Sequence, residues 1–160
     1  MKKLSILTLT VIALTGFMAT TVRAQSPHYI KGPTASLESG TDYVVTFKEA
    51  GLGSSPVTYT LKAGAGTTFT YQCFTKSGNN PQGAPNGVDG SNLTTTTTIT
   101  PHNGNVSASI EMAPDANPPL NICKGGGLVL RLIAVDYDNV TFSDGVTVVA
   151  LPDICAGDCP

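Results

Sequence analysis

Tyr43, Val45 and Phe47 share one parity of the segment DYVVTF, and the same two-residue rhythm returns down the chain. Val57, Tyr59 and Leu61 alternate with Thr58, Thr60 and Lys62. Phe69, Tyr71 and Cys73 alternate with Thr68, Thr70 and Gln72, and Val106, Ala108, Ile110 and Met112 alternate with Ser107, Ser109 and Glu111. A period of two sends successive side chains to opposite faces of an extended strand, whereas a helix needs apolar residues three and four apart. Each of these runs therefore has one face for a core and one for water. The segment GLVLRLIAV, residues 127–135, is apolar on both parities except at Arg131 and reads as a central strand covered from two sides. It is too short and too rich in Val and Ile to favour a helix. The threonines at 94–98 read as an edge strand with two polar faces. An ice- or crystal-binding surface would need many such ranks, and there is one.

Turn chemistry agrees with the strands. AGAG, residues 63–66, joins two alternating runs, while Asn103-Gly104 and Asp144-Gly145 are dipeptides suited to the positive φ angles of tight hairpins. No stretch after the leader shows an amphipathic, capped helix. About eight short strands are expected, giving an all-β, antiparallel β-sandwich of immunoglobulin-like character, without the buried Trp of that class. A barrel stays open as the alternative, because strand pairing is not written in one sequence.

The chain opens MKKLSILTLTVIALTGFMATTVRAQ. Lys2 and Lys3 form a basic start, residues 4–17 an apolar stretch, and Val22-Arg23-Ala24 a cleavage pattern, so residues 1–24 are expected to be a signal peptide removed on export. The apolar stretch is short of the roughly 20 residues of a membrane span. The sandwich is then expected over residues 25–151, followed by a tail at 152–160. The two-lysine start is of bacterial type, so the sequons at Asn92, Asn105 and Asn139 are expected to carry no glycan. Cleavage would remove Lys2, Lys3 and Arg23, three of nine basic groups, and none of the eleven acidic ones. Six against eleven leaves a net charge of −5, which is poor for binding nucleic acid or anionic lipid.

Four cysteines in an exported chain read as an even, oxidised set with three pairings open. Cys155 and Cys159, in CAGDCP beyond the last apolar strand, suit a local bridge, which leaves Cys73 with Cys123. Closing a loop of about 50 residues is worth roughly 4 kcal/mol in the chain-entropy account. The C-x3-C spacing is not that of a thioredoxin-like redox pair, and two thiolates fall short of a structural zinc site.

The segments GTDYVVTFKEAGLG, TYQCFTKSGNNPQG and VDYDNVTFSDG together resemble a set of small secreted bacterial β-sandwich proteins of unassigned function. That set is marked by a KEAGLG-like turn after a strand and by a cysteine following Tyr-Gln before an Asn/Gly-rich loop. The likeness spans most of the exported domain but not the CAGDCP tail. It implies a sandwich fold, an exported location and a bridge between Cys73 and Cys123. Lys48 and Glu49 fall in its turn, and no role comes with them.

Chemistry is sparse. VDYDNVTFSDG, residues 135–145, carries Asp136, Asp138 and Asp144, but a calcium loop counted from Asp136 would find Val140, Thr141 and Thr147 where an oxygen ligand, a glycine and a bidentate glutamate belong. Asp136 and Asp138 are expected at the surface and Asp144 in a turn. His28 and His102 sit in no catalytic frame. The carboxylates lie mainly at expected strand ends and turns, with no distinctive neighbourhood. No catalytic, cofactor-binding or metal-binding residue is therefore assigned. The Gly-, Asn- and Pro-rich segment 76–92 is expected as a long loop and the surface best suited to binding. The expectation is an exported, non-catalytic protein, binding or structural, acting at the cell envelope or outside the cell. Envelope protein or polysaccharide is the partner class, with protein favoured because most Phe and Tyr fall on core parity. The alternative is a small secreted hydrolase using loop carboxylates, for which two suitably placed carboxyl groups suffice.

Overall fold

Eleven strands and no helix make up the described part of the chain in the computed structural model, which covers residues 26–78, 80–114, 122–124 and 126–159. The expected leader, residues 1–24, lies outside the described residues. In chain order the strands are β1 (His28–Glu38), β2 (Asp42–Ala50), β3 (Val57–Lys62), β4 (Thr68–Thr75), β5 (Pro81–Asp89), β6 (Thr94–Ile99), β7 (Asn105–Met112), β8 (Leu128–Tyr137), β9 (Thr141–Ser143), β10 (Val148–Ala150) and β11 (Ile154–Gly157). All pair antiparallel, in three sheets: I with order β1-β2-β7, II with order β10-β9-β3-β6, and III with order β11-β8-β4-β5. The all-β class expected from the alternation is what the chain adopts.

Sheets II and III run into one another. Lys62 of β3 pairs with Thr141 of β9, and Thr68 of β4 pairs with Asp136 of β8, so the same two chain segments cross from one sheet to the next. Residues 63–67 and 138–140 make the corner. The Gly64 amide and the Thr67 hydroxyl both donate to the Asp138 carbonyl, at 3.0 and 3.1 Å, and the Asn139 side-chain amide donates to the Ala65 carbonyl at 2.9 Å. A Cβ on Gly64 would strike the Asn139 backbone, so glycine is needed for that close approach. AGAG thus links strands of two sheets and is not a hairpin turn.

Sheet I covers both. Phe47 of β2 meets Tyr59 of β3 and Phe142 of β9 at centroid distances of 4.6 and 4.8 Å, while Tyr43 of β2 and Phe69 of β4 meet Tyr137 of β8 at 5.1 and 5.4 Å. Such ring pairs add about 0.5–1.5 kcal/mol each beyond the area they bury. Buried hydroxyls are matched: Tyr43 donates to the Pro152 carbonyl and Tyr137 to those of Thr41 and Met112. Cys73, buried on the inner parity of β4, is bridged to Cys123 with Cα atoms 5.6 Å apart. Cys155 and Cys159, both exposed, form the second bridge at a Cα separation of 6.3 Å.

The turns follow their residues. Asn103 and Gly104 take φ of 51° and 72° within the His102–Asn105 bridge, and Asp144-Gly145 lies in the connection between β9 and β10. The threonine strand β6 is an edge, as expected. Three segments differ from expectation. Strand β8 is central in its sheet but not covered on both faces: Val129 is 40% exposed, and the Arg131 guanidinium lies in the open over the Phe74 ring. Two pairing neighbours enclose a strand edgewise, and only a second layer hides its face. Segment 76–92 is not one loop, because β5 within it pairs with β4 from Asp89↔Thr68 to Pro81↔Phe74. At a sheet edge the prolines at 81 and 85 are tolerated, since one side of the strand needs no donors. The tail expected at 152–160 supplies β11, which pairs with β8.

Candidate functional site

Two residues beyond Phe47 the core parity of β2 arrives at Glu49, whose side chain is only 1% exposed. A carboxyl group in that position must find hydrogen-bond partners or stay protonated. Tyr59, across the interface on β3, donates its hydroxyl to Glu49 Oε2 at 2.9 Å. Asp144, opening the β9–β10 turn, brings its own carboxyl into hydrogen-bond contact with that of Glu49 and is 8% exposed. Asp144 Oδ1 accepts the amides of Val146 and Thr147 at 2.8 and 2.5 Å, the usual way an aspartate closes a turn on its own backbone. Its Oδ2 accepts the hydroxyl of Tyr29 from β1 at 3.3 Å. Sheet I thus contributes Tyr29 and Glu49, and sheet II contributes Tyr59 and Asp144.

Two carboxyl groups in contact cannot both ionise without strong repulsion. Burial, first of all, pushes the Glu49 pKa above the usual carboxylic value; the Asp144 charge adds to the rise, while the Tyr59 hydrogen bond and the charge of His28 oppose it. Burial also drives the Tyr29 and Tyr59 hydroxyls upward, so both remain neutral donors. Among the described residues no buried side-chain nitrogen or oxygen lacks a partner.

Above the pair opens a groove of about 330 Å³, walled by Pro27, Leu52, Pro56, Val57 and Val146, with Glu49 and Asp144 among its lining. Val146 of that wall, in the β9–β10 turn, stands 85% exposed, and Val148, which opens the edge strand β10, 67%. A second groove of about 360 Å³ lies on the outer face of sheet III between Thr68, Thr70, Asp136 and the Cys155–Cys159 bridge.

Of the residues the sequence singles out, Asp136, Asp138 and Asp144 are not brought together. Asp136 lines the second groove, Asp138 holds the corner through its backbone, and Asp144 meets Glu49. Among the described residues no group of three His, Cys, Asp or Glu could hold a metal ion. His102 closes the Asn103-Gly104 turn through its backbone, and His28 Nδ1 lies 2.9 Å from the Ser26 carbonyl. The reading that no carboxylate has a distinctive neighbourhood is corrected by Glu49 and Asp144. Glu49 belongs to a strand, with the following turn starting at Gly51, where φ is 79°. Its position on the Tyr43–Phe47 parity was the available signal.

Comparison with known proteins finds no family model, curated protein or solved structure that matches this chain. Among the described residues no helix is long and apolar enough to cross a membrane. The two disulfides are at home in an oxidising, extracellular type of environment.

Proposed function

We propose that the chain is an exported, non-catalytic β-sandwich of immunoglobulin-like character that acts by contact, binding or holding structure at the cell envelope or outside the cell. What supports this reading is the state of its most reactive-looking group. Glu49 and Asp144 face each other across two sheets, with their oxygens engaged by tyrosine hydroxyls and turn amides and with Glu49 almost wholly buried. A general base needs a lone pair turned toward substrate or a water molecule. A glycosidase pair, moreover, stands about 5 Å or more apart so that a sugar or water fits between. The signal-like leader and the resemblance to small secreted bacterial sandwiches point to the same place outside the cytoplasm. A protein partner fits better than polysaccharide, since the large aromatic side chains are engaged in the core and few rings remain for stacking on sugars.

The groove beside Val146 and Val148 keeps a second reading in view, a small hydrolase working through the Glu49–Asp144 pair. One experiment separates them. Mature protein immobilised on beads is incubated with cell-envelope fractions and with panels of chromogenic ester and glycoside substrates, in wild-type and Glu49→Gln forms. Specific retention of an envelope component without turnover supports the contact reading. Turnover that disappears in Glu49→Gln replaces it with the hydrolase.

A further inference from the structure

We propose that Glu49 and Asp144 form a proton-held clasp between sheets I and II, closed when Glu49 donates its proton to Asp144 and opened when that proton is lost to water, releasing the β9–β10 turn beside the groove. The inference stands whether or not the groove takes a partner. It rests first on placement. Glu49 is held near the end of β2 in sheet I but is paired on both flanks, to Tyr29 of β1 and to Val106 of β7. Asp144 sits instead on a turn, joined by three pairs to β10, a three-residue edge strand. When the two repel, the rigid strand stays and the turn gives way. Moving the turn carries Val146 from the groove wall, so the groove widens with it.

The groups facing the pair are few. Tyr29 and His28 come from β1, Tyr59 from β3, and Lys48 is exposed on the other face of β2. The tyrosines donate hydrogen bonds but bring no positive charge. Only His28 opposes the repulsion electrostatically, and it is itself exposed. Asp144 already accepts the Val146 and Thr147 amides, which makes it the acceptor of the two carboxyl groups. The proton therefore belongs on Glu49, the more buried partner.

The direction of the pH effect follows from the raised pKa of Glu49. The folded protein holds this proton more tightly than the unfolded chain does. The clasp's contribution is then complete below the ordinary carboxyl value of 4.5 and is lost as pH rises through the higher folded value. This is opposite to the usual buried carboxylate in a salt bridge.

The test is hydrogen exchange of the Val146 and Thr147 amides, expressed as protection factors so that the intrinsic pH dependence of exchange cancels. Between about pH 4 and about pH 8 their protection should fall severalfold, while amides in the β4–β8 ladder hold. Glu49→Gln, whose amide can donate to Asp144 and whose oxygen can accept from Tyr59, should keep the turn protected at both ends of the range. Unchanged wild-type protection, or an equal loss in Glu49→Gln, overturns the clasp. Should the variant not fold, NMR titration of the Glu49 side-chain carboxyl in the wild type decides: a midpoint above the ordinary glutamate range supports the clasp, and one inside that range overturns it.

Discussion

Tyr59→Phe removes the hydroxyl hydrogen bond that reaches Glu49 from β3. The ring stays where it is, 4.6 Å from Phe47 and 5.8 Å from Phe142 by centroid, so packing is nearly unchanged and only a buried donor is lost. Its worth depends on what it donates to. A bond to a neutral carboxyl contributes about 0.5–1.5 kcal/mol, and one to a carboxylate about 1.5–3. The substitution should therefore cost about 1 kcal/mol while Glu49 is protonated and about 2 kcal/mol once it is ionised. With a urea dependence of about 2 kcal/mol per M for a domain of this size, the unfolding midpoint should drop by roughly 0.5 M near pH 4 and by roughly 1 M near pH 8. Linkage demands that the extra cost at high pH appear as a further rise in the Glu49 pKa. Urea melts of both proteins at the two pH values, followed by tyrosine fluorescence, measure all of this. A cost that is equal at both, or larger at acid pH, would refute the claim that Tyr59 steadies the ionised form of Glu49.

The two bridges should differ in weight. Replacing Cys73 and Cys123 by Ser opens a loop spanning 50 residues and should cost about 4 kcal/mol, against about 2 for Cys155 and Cys159, whose separation is 4, as read from denaturant midpoints. Gly157→Ala should detach the last strand: its φ is +91°, and a Cβ there would run into the Ile133 carbonyl and come within 2.8 Å of the Ala134 Cα. Strain of this kind costs on the order of 1–3 kcal/mol, and exchange should speed up in β11 while sheet I keeps its protection. Thermal midpoints in millimolar calcium and in EDTA should coincide, since Asp136, Asp138 and Asp144 serve three separate places. A higher midpoint in calcium would reveal ligation that this arrangement does not provide.

Alternation made most of the strands legible, because a half-buried strand writes its two environments directly into its residues. Strand β2 is the clear case, and its parity already contained the site: Tyr43, Val45 and Phe47 lead to Glu49, a charge where the pattern asks for an apolar side chain. The partner was harder to see. Asp144-Gly145 was legible as a turn, but its burial comes from β3 and β1 folding over it, and pairing between distant strands leaves no mark in either strand alone. Strand β5 was illegible for another reason. Its residues are almost all exposed, so no alternation was required of them, and β4 holds it through the backbone. The apolar residues of β8 gave its central place in the sheet but not the openness of its outer face, which depends on how far the opposite layer reaches.

Sheet II is closed by pairs such as Leu61 with Phe142, and sheet III by Phe69 with Val135, so each joins segments far apart in the chain. No local hairpin can stand in for these ladders while the chain is incomplete. Closing these two sheets must wait until β8 and β9 are available, and such distant pairing delays assembly compared with folds built from neighbours. If the chain is exported as proposed, that delay suits it: a chain must cross a translocation channel unfolded, and its cysteines would then meet their oxidant on the far side.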